Sequence, residues 1–127
     1  DYKFTESERA NAVLRAYKED TNDCIYFVNR YIEEKGSQNK GRVNQNALYY
    51  AFKISELKDN RQLPAMSEKE RIYDKRTILH GIKEALTSEG FAFAPQRSNN
   101  NIYLKGIDLN ARGRKLLEKN PTGRKYL

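Results

Sequence analysis

The chain has 127 residues, of which 38% are hydrophobic, and this suits one ordinary domain with a single core. It contains no run of about 18 apolar residues and no signal-peptide pattern, so we expect a cytoplasmic or nucleoid-associated protein rather than a membrane protein. A single cysteine cannot form an internal disulfide, and one cysteine with one histidine does not supply the ligand cluster of a metal site, so we predict neither.

The formal net charge of +7 is concentrated toward the C-terminus. Residues 1–34 hold five Lys or Arg against eight Asp or Glu, residues 35–96 hold eleven against seven, and residues 97–127 hold eight against two. A local excess of cations is typical of polyanion binders, because each neutralised phosphate releases condensed counterions. Surface charge that serves only solubility is the alternative.

Two amphipathic helices are predicted within residues 1–36. The first lies in TESERANAVLRAYKED, which has acidic residues near its start and apolar residues at helical spacing. The second follows Thr21 as its N-cap and ends at Gly36. Its apolar stripe consists of Cys24, Ile25, Val28, Tyr31 and Ile32. We expect this acidic pair to serve as a dimer interface or to contact a partner protein.

The stretch GSQNKGR is predicted to be an exposed loop, in which Lys35, Lys40 and Arg42 are placed to touch phosphates. A third helix is predicted in VNQNALYYAFKISELKDN, with Asn44 as its cap and its end marked by Asp59 and Asn60. Its expected core residues are Ala47, Leu48, Ala51, Phe52 and Leu57, and its expected edge residues are Tyr49, Tyr50 and Lys53.

The segment SEKE matches a capping box, so Ser67 is predicted to start another helix with Glu70 reaching back. This helix either continues to Ser88 or is interrupted near Asp74, which could cap a new start at Lys75. We expect a break or a bend there.

Residues 75–89 are predicted to form a helix with two distinct faces. The core face is Ile78, Leu79, Ile82 and Leu86, and the polar face is Arg76, His80, Lys83 and Thr87. After Gly90, the segments FAFAP and NIYLK predict a hairpin over residues 91–105 with Arg97 at its polar tip, and with Pro95 on an outer strand. A last helix is predicted from about Asn110 to Glu118, with Leu116 and Leu117 in the core, followed by a frayed basic tail.

The run KRTILHGIKEALTSEGF, the hairpin and LNARGRKLLE together resemble the winged helix-turn-helix superfamily over roughly the last 55 residues. The matching positions are Arg76, Thr77, Ile78, Ile82, Leu86, Gly90, Phe91, Leu109, Gly113 and Arg114. The span 59–73 is longer than the tight turn usual before the recognition helix.

The resemblance implies a mainly α fold with a small β-hairpin (α+β), as one winged-helix domain over residues 1–127. Its parts are an N-terminal helical pair (1–36), a helix-turn-helix core and wing (43–106), a C-terminal helix (107–120) and a basic tail (121–127).

It further implies a regulator of transcription or replication that binds duplex DNA, for which we expect no cofactor and a homodimer formed through the first or second helix. The compact chain, rich in Asn and Tyr, favours a phage, plasmid or viral regulator. Helix 75–89 would enter the major groove and wing 91–105 would reach the adjacent backbone or minor groove. The implied DNA contacts are Arg42, Lys75, Arg76, Thr77, His80, Lys83, Arg97, Asn99, Asn100 and Lys105.

Two other classes stay open from the sequence: a winged-helix module that binds protein, and a binder of RNA or single-stranded DNA that uses the basic C-terminal region and the tyrosines. Roles without any DNA contact also stay open for these residues. His80 can be an ordinary surface residue, Arg97 a solvated turn residue, and the asparagines part of a turn that tolerates left-handed backbone. The chain has no Gly-rich phosphate loop and no supported nucleophile with a base, so we predict that it is not an enzyme.

Overall fold

The computed structural model describes residues 22–36, 41–57 and 63–127. The described elements, in chain order, are α1 (Asp23–Tyr31), β1 (Ile32–Glu34), β2 (Arg42–Asn44), α2 (Gln45–Glu56), α3 (Glu68–Ser88), β3 (Ala94–Ser98), β4 (Asn101–Lys105), β5 (Ile107–Leu109), α4 (Ala111–Glu118) and α5 (Pro121–Arg124). The fold is therefore mixed α and β, as predicted. The predicted first helix, Lys40, Asp59 and Asn60 lie outside the described residues. No helix within the described ranges is long and apolar enough to cross a membrane.

The strands form two small antiparallel sheets. The larger has the order β2–β4–β3. Leu104 of the middle strand pairs with Val43 of β2 on one side and with Pro95 of β3 on the other. The smaller pairs β1 with β5. The outer position of β3 confirms the placement predicted for Pro95, whose missing N–H needs no ladder partner at an edge.

One hydrophobic core joins the three longer helices to both sheets. Its fully buried large side chains are Phe27, Val28, Leu48, Ile82, Leu86, Leu104, Ile107 and Leu117. The ring of Phe27 meets that of Phe52 edge-on at 5.5 Å, which joins α1 to α2. The burial of Leu79, Ile82 and Leu86 confirms the predicted core face of the 75–89 segment, with Ile78 packed against it.

The second predicted helix ends earlier than the sequence indicates. α1 stops at Tyr31 rather than Gly36, because the carbonyls of Arg30 and Tyr31 accept hydrogen bonds from the side chain and backbone N–H of Asn110. The next three residues extend into β1 and pair with β5. The predicted Thr21 cap was also wrong, since Asn22 accepts the bonds from Cys24 and Ile25 N–H.

The third helix begins where predicted and buries more than predicted. The side chain of Asn44 accepts from Asn46 N–H and so caps α2, although the preceding residues form β2. The helix ends at Glu56, and Leu57 is only half-buried. Tyr49, predicted at the edge, is 2% exposed and belongs to the core.

α3 runs without interruption for 21 residues, from Glu68 to Ser88, so the predicted break near Asp74 was wrong. Ser67 caps it by accepting from Glu70 N–H at 3.2 Å, as the capping box predicts. Asp74 does not cap a new helix. Its carboxylate instead bonds side chains of α2, a tertiary contact that a local pattern does not reveal.

The first strand of the hairpin begins three residues later than predicted. β3 begins at Ala94, and the two-residue turn is Asn99–Asn100, both with positive φ (51° and 66°). Such a turn matches the twist of the strands and favours asparagine. Arg97 consequently lies within β3, opposite Ile102, and not at the tip.

The C-terminal region is more ordered than a frayed tail. α4 starts after Asn110 as predicted, and its Leu117 is buried. The predicted tail forms α5, capped by Asn120, and the ring of Tyr126 stacks on Tyr50 of α2 at 5.6 Å. Gly113 is required at its position, because a Cβ there would lie 2.8 Å from the Tyr31 carbonyl oxygen.

Candidate nucleic-acid interface

The side of α3 turned away from the core is polar and cationic. Arg76, His80 and Thr87 are exposed and Lys83 is half-buried, so the structure brings together the four residues of the predicted polar face. Neither Arg76 nor Lys83 forms an ion pair with a residue of the described ranges. Their charges therefore remain available to an anionic partner.

A carboxylate interrupts this face. His80 Nε2 lies 3.1 Å from Glu84 Oε1, one turn further along α3, and both side chains are about 70% exposed (72% and 71%). The Glu84 carboxylate adds a negative charge to this face, and Arg76 and Lys83 supply its positive charge.

Two other predicted contacts on this helix have different surroundings. Lys75 Nζ donates to Asn46 Oδ1 at 3.1 Å and is half-buried, which makes it a bridge between α3 and α2. Thr77 is exposed. We define the cationic face of α3 as Arg76, Thr77, His80, Lys83 and Thr87.

A hydrogen-bonded cluster fixes α3 against α2. Tyr49 Oη donates to Asp74 Oδ2 at 2.6 Å, and Lys53 Nζ lies 3.2 Å from the same oxygen. Burial, together with the Asp74 carboxylate, raises the pKa of Tyr49 well above its usual value. The cluster holds α3 two residues before Arg76. No local pattern reveals this cluster, because Asp74 lies 25 positions from Tyr49 and 21 positions from Lys53.

The three-stranded sheet divides the remaining predicted contacts between its two faces. Because cross-strand partners share a face, Arg97 lies on the side of Ile102, which is also the core side of Leu104. Arg42 and its partner Lys105 lie on the opposite, outer side. One flat surface therefore cannot collect Arg97 together with Arg42 and Lys105.

The hairpin itself is accessible. In β3 the first four residues are exposed, including Arg97, and the turn residues Asn99 and Asn100 are exposed as well. The side chain of Asn101 donates to the Asn99 carbonyl at 3.3 Å, which supports the turn. The asparagines of the hairpin tip therefore have a structural role in the turn.

Comparison with known protein families, with curated proteins and with solved structures found no match to this chain.

On the outer face of the sheet, Arg42 has a neighbour, Tyr103, that the sequence did not single out. The guanidinium of Arg42 lies 4.2 Å from the centre of the Tyr103 ring, close enough for a cation–π contact. Arg114 and Lys125, from the C-terminal helical region, line the same cleft. Lys125 has no sequence signal beyond the general cation excess of residues 97–127, whereas Arg114 is one of the positions that match the winged-helix pattern. Lys35, predicted to touch phosphates, is instead 2.8 Å from Glu33.

No group of three or more His, Cys, Asp or Glu in the described part of the chain could hold a metal ion. Burial raises the pKa of the Cys24 thiol, with Asp23 and Glu56 adding to the effect. Cys24 packs against the core between α1 and α3, where its Sγ would lie 2.9 Å from a Cβ at Gly81. This agrees with the predicted place of Cys24 on the apolar stripe of the second helix.

Proposed function

We propose that this chain is a winged-helix protein that binds duplex DNA and regulates transcription or replication. The observation that carries the proposal is the cationic face of α3, where Arg76 and Lys83 have no ion-pair partner within the described ranges and the other side of the helix is fixed in the core. A helix of this kind supplies phosphate contacts and base-edge donors on one rigid surface.

The element order supports the winged-helix part of the proposal. Setting aside β1, the described chain runs from helix α1 through strand β2 and helices α2 and α3 to the β3–β4 hairpin. The first strand of this series joins the hairpin through β4, in the sheet order β2–β4–β3. In the superfamily that the sequence resembles, the helix before such a hairpin is the recognition helix.

The dimensions are compatible with a major groove. From Arg76 to Thr87 the helix advances by roughly 16 Å at ~1.5 Å per residue, and the groove of B-DNA is about 12 Å wide. Arg76 and Lys83 are about two turns apart, so both can face one groove wall or one can reach a guanine edge. Arg97, exposed on β3, would contact the neighbouring backbone or minor groove.

A second candidate function is protein contact near the start of α3. Ile72 is 47% exposed and Tyr73 is 71% exposed, and they are adjacent on α3. Exposed apolar side chains of this size suit a second copy of the chain or another protein. Such a contact is compatible with a DNA-binding dimer, and it would replace DNA binding if the module served only protein recognition.

The test is fluorescence anisotropy of the purified chain with labelled A·T-rich and mixed duplexes over a range of salt. We expect the logarithm of affinity to fall linearly with log salt, and the slope to shrink by about 0.9 for each phosphate contact removed. Arg76→Ala should weaken binding, and Arg97→Ala should do so most strongly on the A·T-rich duplex.

Arg71→Ala is the matched control. Arg71 is a cation of the same helix, but it lines a different cleft with Tyr49 and Tyr50. Equal losses in Arg71→Ala and Arg76→Ala would mean that only total charge matters, which contradicts a specific face. Absence of duplex binding at low salt would reject the proposal, and self-association that is lost in Tyr73→Ser would then favour the protein-contact function.

A further inference from the structure

A basic cleft of about 560 Å³ lies between the outer face of the three-stranded sheet and the C-terminal helices. β2 and β4 supply Arg42 and Tyr103, α4 supplies Arg114, and the last residues supply Lys125 and Tyr126. No residue of α3 lines this cleft. Its volume falls within the range of small-ligand sites, roughly 300–1,000 Å³.

The cleft has a positive balance. Its three cations, Arg42, Arg114 and Lys125, face one carboxylate, that of Asp108, which pairs with Arg114 at 3.2 Å. Within the described ranges neither Arg42 nor Lys125 forms an ion pair. Two cations without an ion-pair partner in these ranges therefore line the cleft, Arg42 from the sheet and Lys125 from the C-terminal segment. Such cations attract a phosphate group.

Planar groups accompany the charges. The Arg42 guanidinium lies over the ring of Tyr103 at 4.2 Å, so the pair places a cation against an aromatic ring. The ring of Tyr126, supported by its stack on Tyr50 at an interplanar angle of 23°, lies in the same cleft. Bases stack on aromatic rings and on guanidinium planes alike. An acidic peptide would use the charges but would gain little from these planes.

We propose that this cleft binds a nucleotide, with the phosphate between Arg42 and Lys125 and the base stacked against the Arg42–Tyr103 pair. The nucleotide can belong to a single strand or be free in solution, because the same phosphate and base chemistry recognises both. The site is independent of the proposed duplex surface, since α3 contributes nothing to it and Arg97 faces the other side of the sheet.

The experiment measures anisotropy of a short labelled oligothymidylate over a range of salt. Competitors are thymidine monophosphate, inorganic phosphate and polyglutamate. The double variant Arg42→Gln/Lys125→Gln should reduce the salt slope by about 0.7, the single-strand value for one phosphate contact, and each single variant should weaken binding. Tyr103→Leu should weaken binding about fivefold or more, the size measured for the loss of one base–aromatic stack.

Matched controls lie elsewhere on the surface. Arg112→Gln removes an exposed cation of α4 that does not line the cleft, and Tyr26→Leu removes a tyrosine that is 44% exposed on α1. Both should bind the oligonucleotide like the parent chain. Arg76→Ala should also leave this binding unchanged, so failure of the duplex proposal and failure of this one are distinguishable. Circular dichroism checks that each variant is folded.

Competition by thymidine monophosphate supports the proposal with a free nucleotide as ligand, and binding of the strand alone supports it with a strand as ligand. Equal losses in Arg112→Gln and in the cleft variants would overturn it. So would displacement by polyglutamate or by inorganic phosphate at the concentrations at which the monophosphate acts, since the cleft would then recognise charge without a base.

Discussion

Tyr49→Phe tests whether the contact between α2 and α3 is held by the buried hydroxyl. The substitution keeps the ring, which is 2% exposed, and removes only the Oη that donates to Asp74 Oδ2 at 2.6 Å. Lys53 stays beside the same carboxylate at 3.2 Å, so the acceptor retains one partner. The change therefore isolates one hydrogen bond between two helices.

The size of the effect follows from the charge of the acceptor. A hydrogen bond to a charged group contributes about 1.5–3 kcal/mol, and the remaining Lys53 contact favours the lower half of that range, about 2 kcal/mol. The entropy of unfolding is about 2.1 cal/mol/K per residue near 60 °C, or roughly 0.27 kcal/mol/K for this chain. We therefore expect the melting temperature to fall by about 7 °C.

The assay is thermal unfolding followed by circular dichroism, with urea unfolding to show that the m-value is unchanged. Tyr50→Phe is the matched control. The ring of Tyr50, the residue after Tyr49, is half-buried and stacked on Tyr126, and its hydroxyl forms no hydrogen bond within the described ranges. The control should stay within about 0.5 kcal/mol of the parent.

Asp74→Ala completes a double-mutant cycle. Alone it leaves the Tyr49 hydroxyl buried without its partner, so it should cost more than Tyr49→Phe. Once Tyr49→Phe is present, the added cost should shrink. Additive effects, or a Tyr49→Phe change no larger than that of Tyr50→Phe, would refute the assignment of this hydrogen bond as the tie between α2 and α3.

Four further predictions concern separate features. Because the pKa of Tyr49 is raised, the folded state retains a proton that the unfolded state loses above pH ~10. The contribution of Tyr49 to stability should therefore be constant below that pH and fall above it, by up to about 1.4 kcal/mol per pH unit, so that total stability falls less steeply in Tyr49→Phe. Gly113→Ala should destabilise by about 1–3 kcal/mol in urea, since the new Cβ would meet the Tyr31 carbonyl oxygen at 2.8 Å, and a neutral result would contradict that packing. Asn100→Ala should cost about 1 kcal/mol because φ there is 66°, whereas Asn100→Gly should be neutral or stabilising. Cys24 should react with a thiol reagent at pH 8 more slowly than a free cysteine does, because burial raises its pKa, and equal rates would contradict this placement.

The candidate site was predictable where it depends on one helix. The polar face of α3 follows from spacing alone, because residues three and four apart share a side whatever the tertiary fold. The sheet residues were not predictable in the same way. A shift of β3 placed Arg97 inside the strand, and the register decided that Arg42 and Lys105 lie on the other side from it. The sequence contains no local signal for that register.

By itself the sequence determined the parts of this protein that are local. The caps at Asn44, Ser67 and Asn110, the buried stripe of α3 and the presence of a hairpin all depend on side chains within a few positions of one another. Only the tertiary structure decided where α1 ends, that α3 continues past Asp74 and that the last residues fold back onto Tyr50. Each of these depends on a hydrogen bond, strand pair or ring stack between residues far apart in the chain, and such contacts outweigh the small preferences that a local pattern expresses.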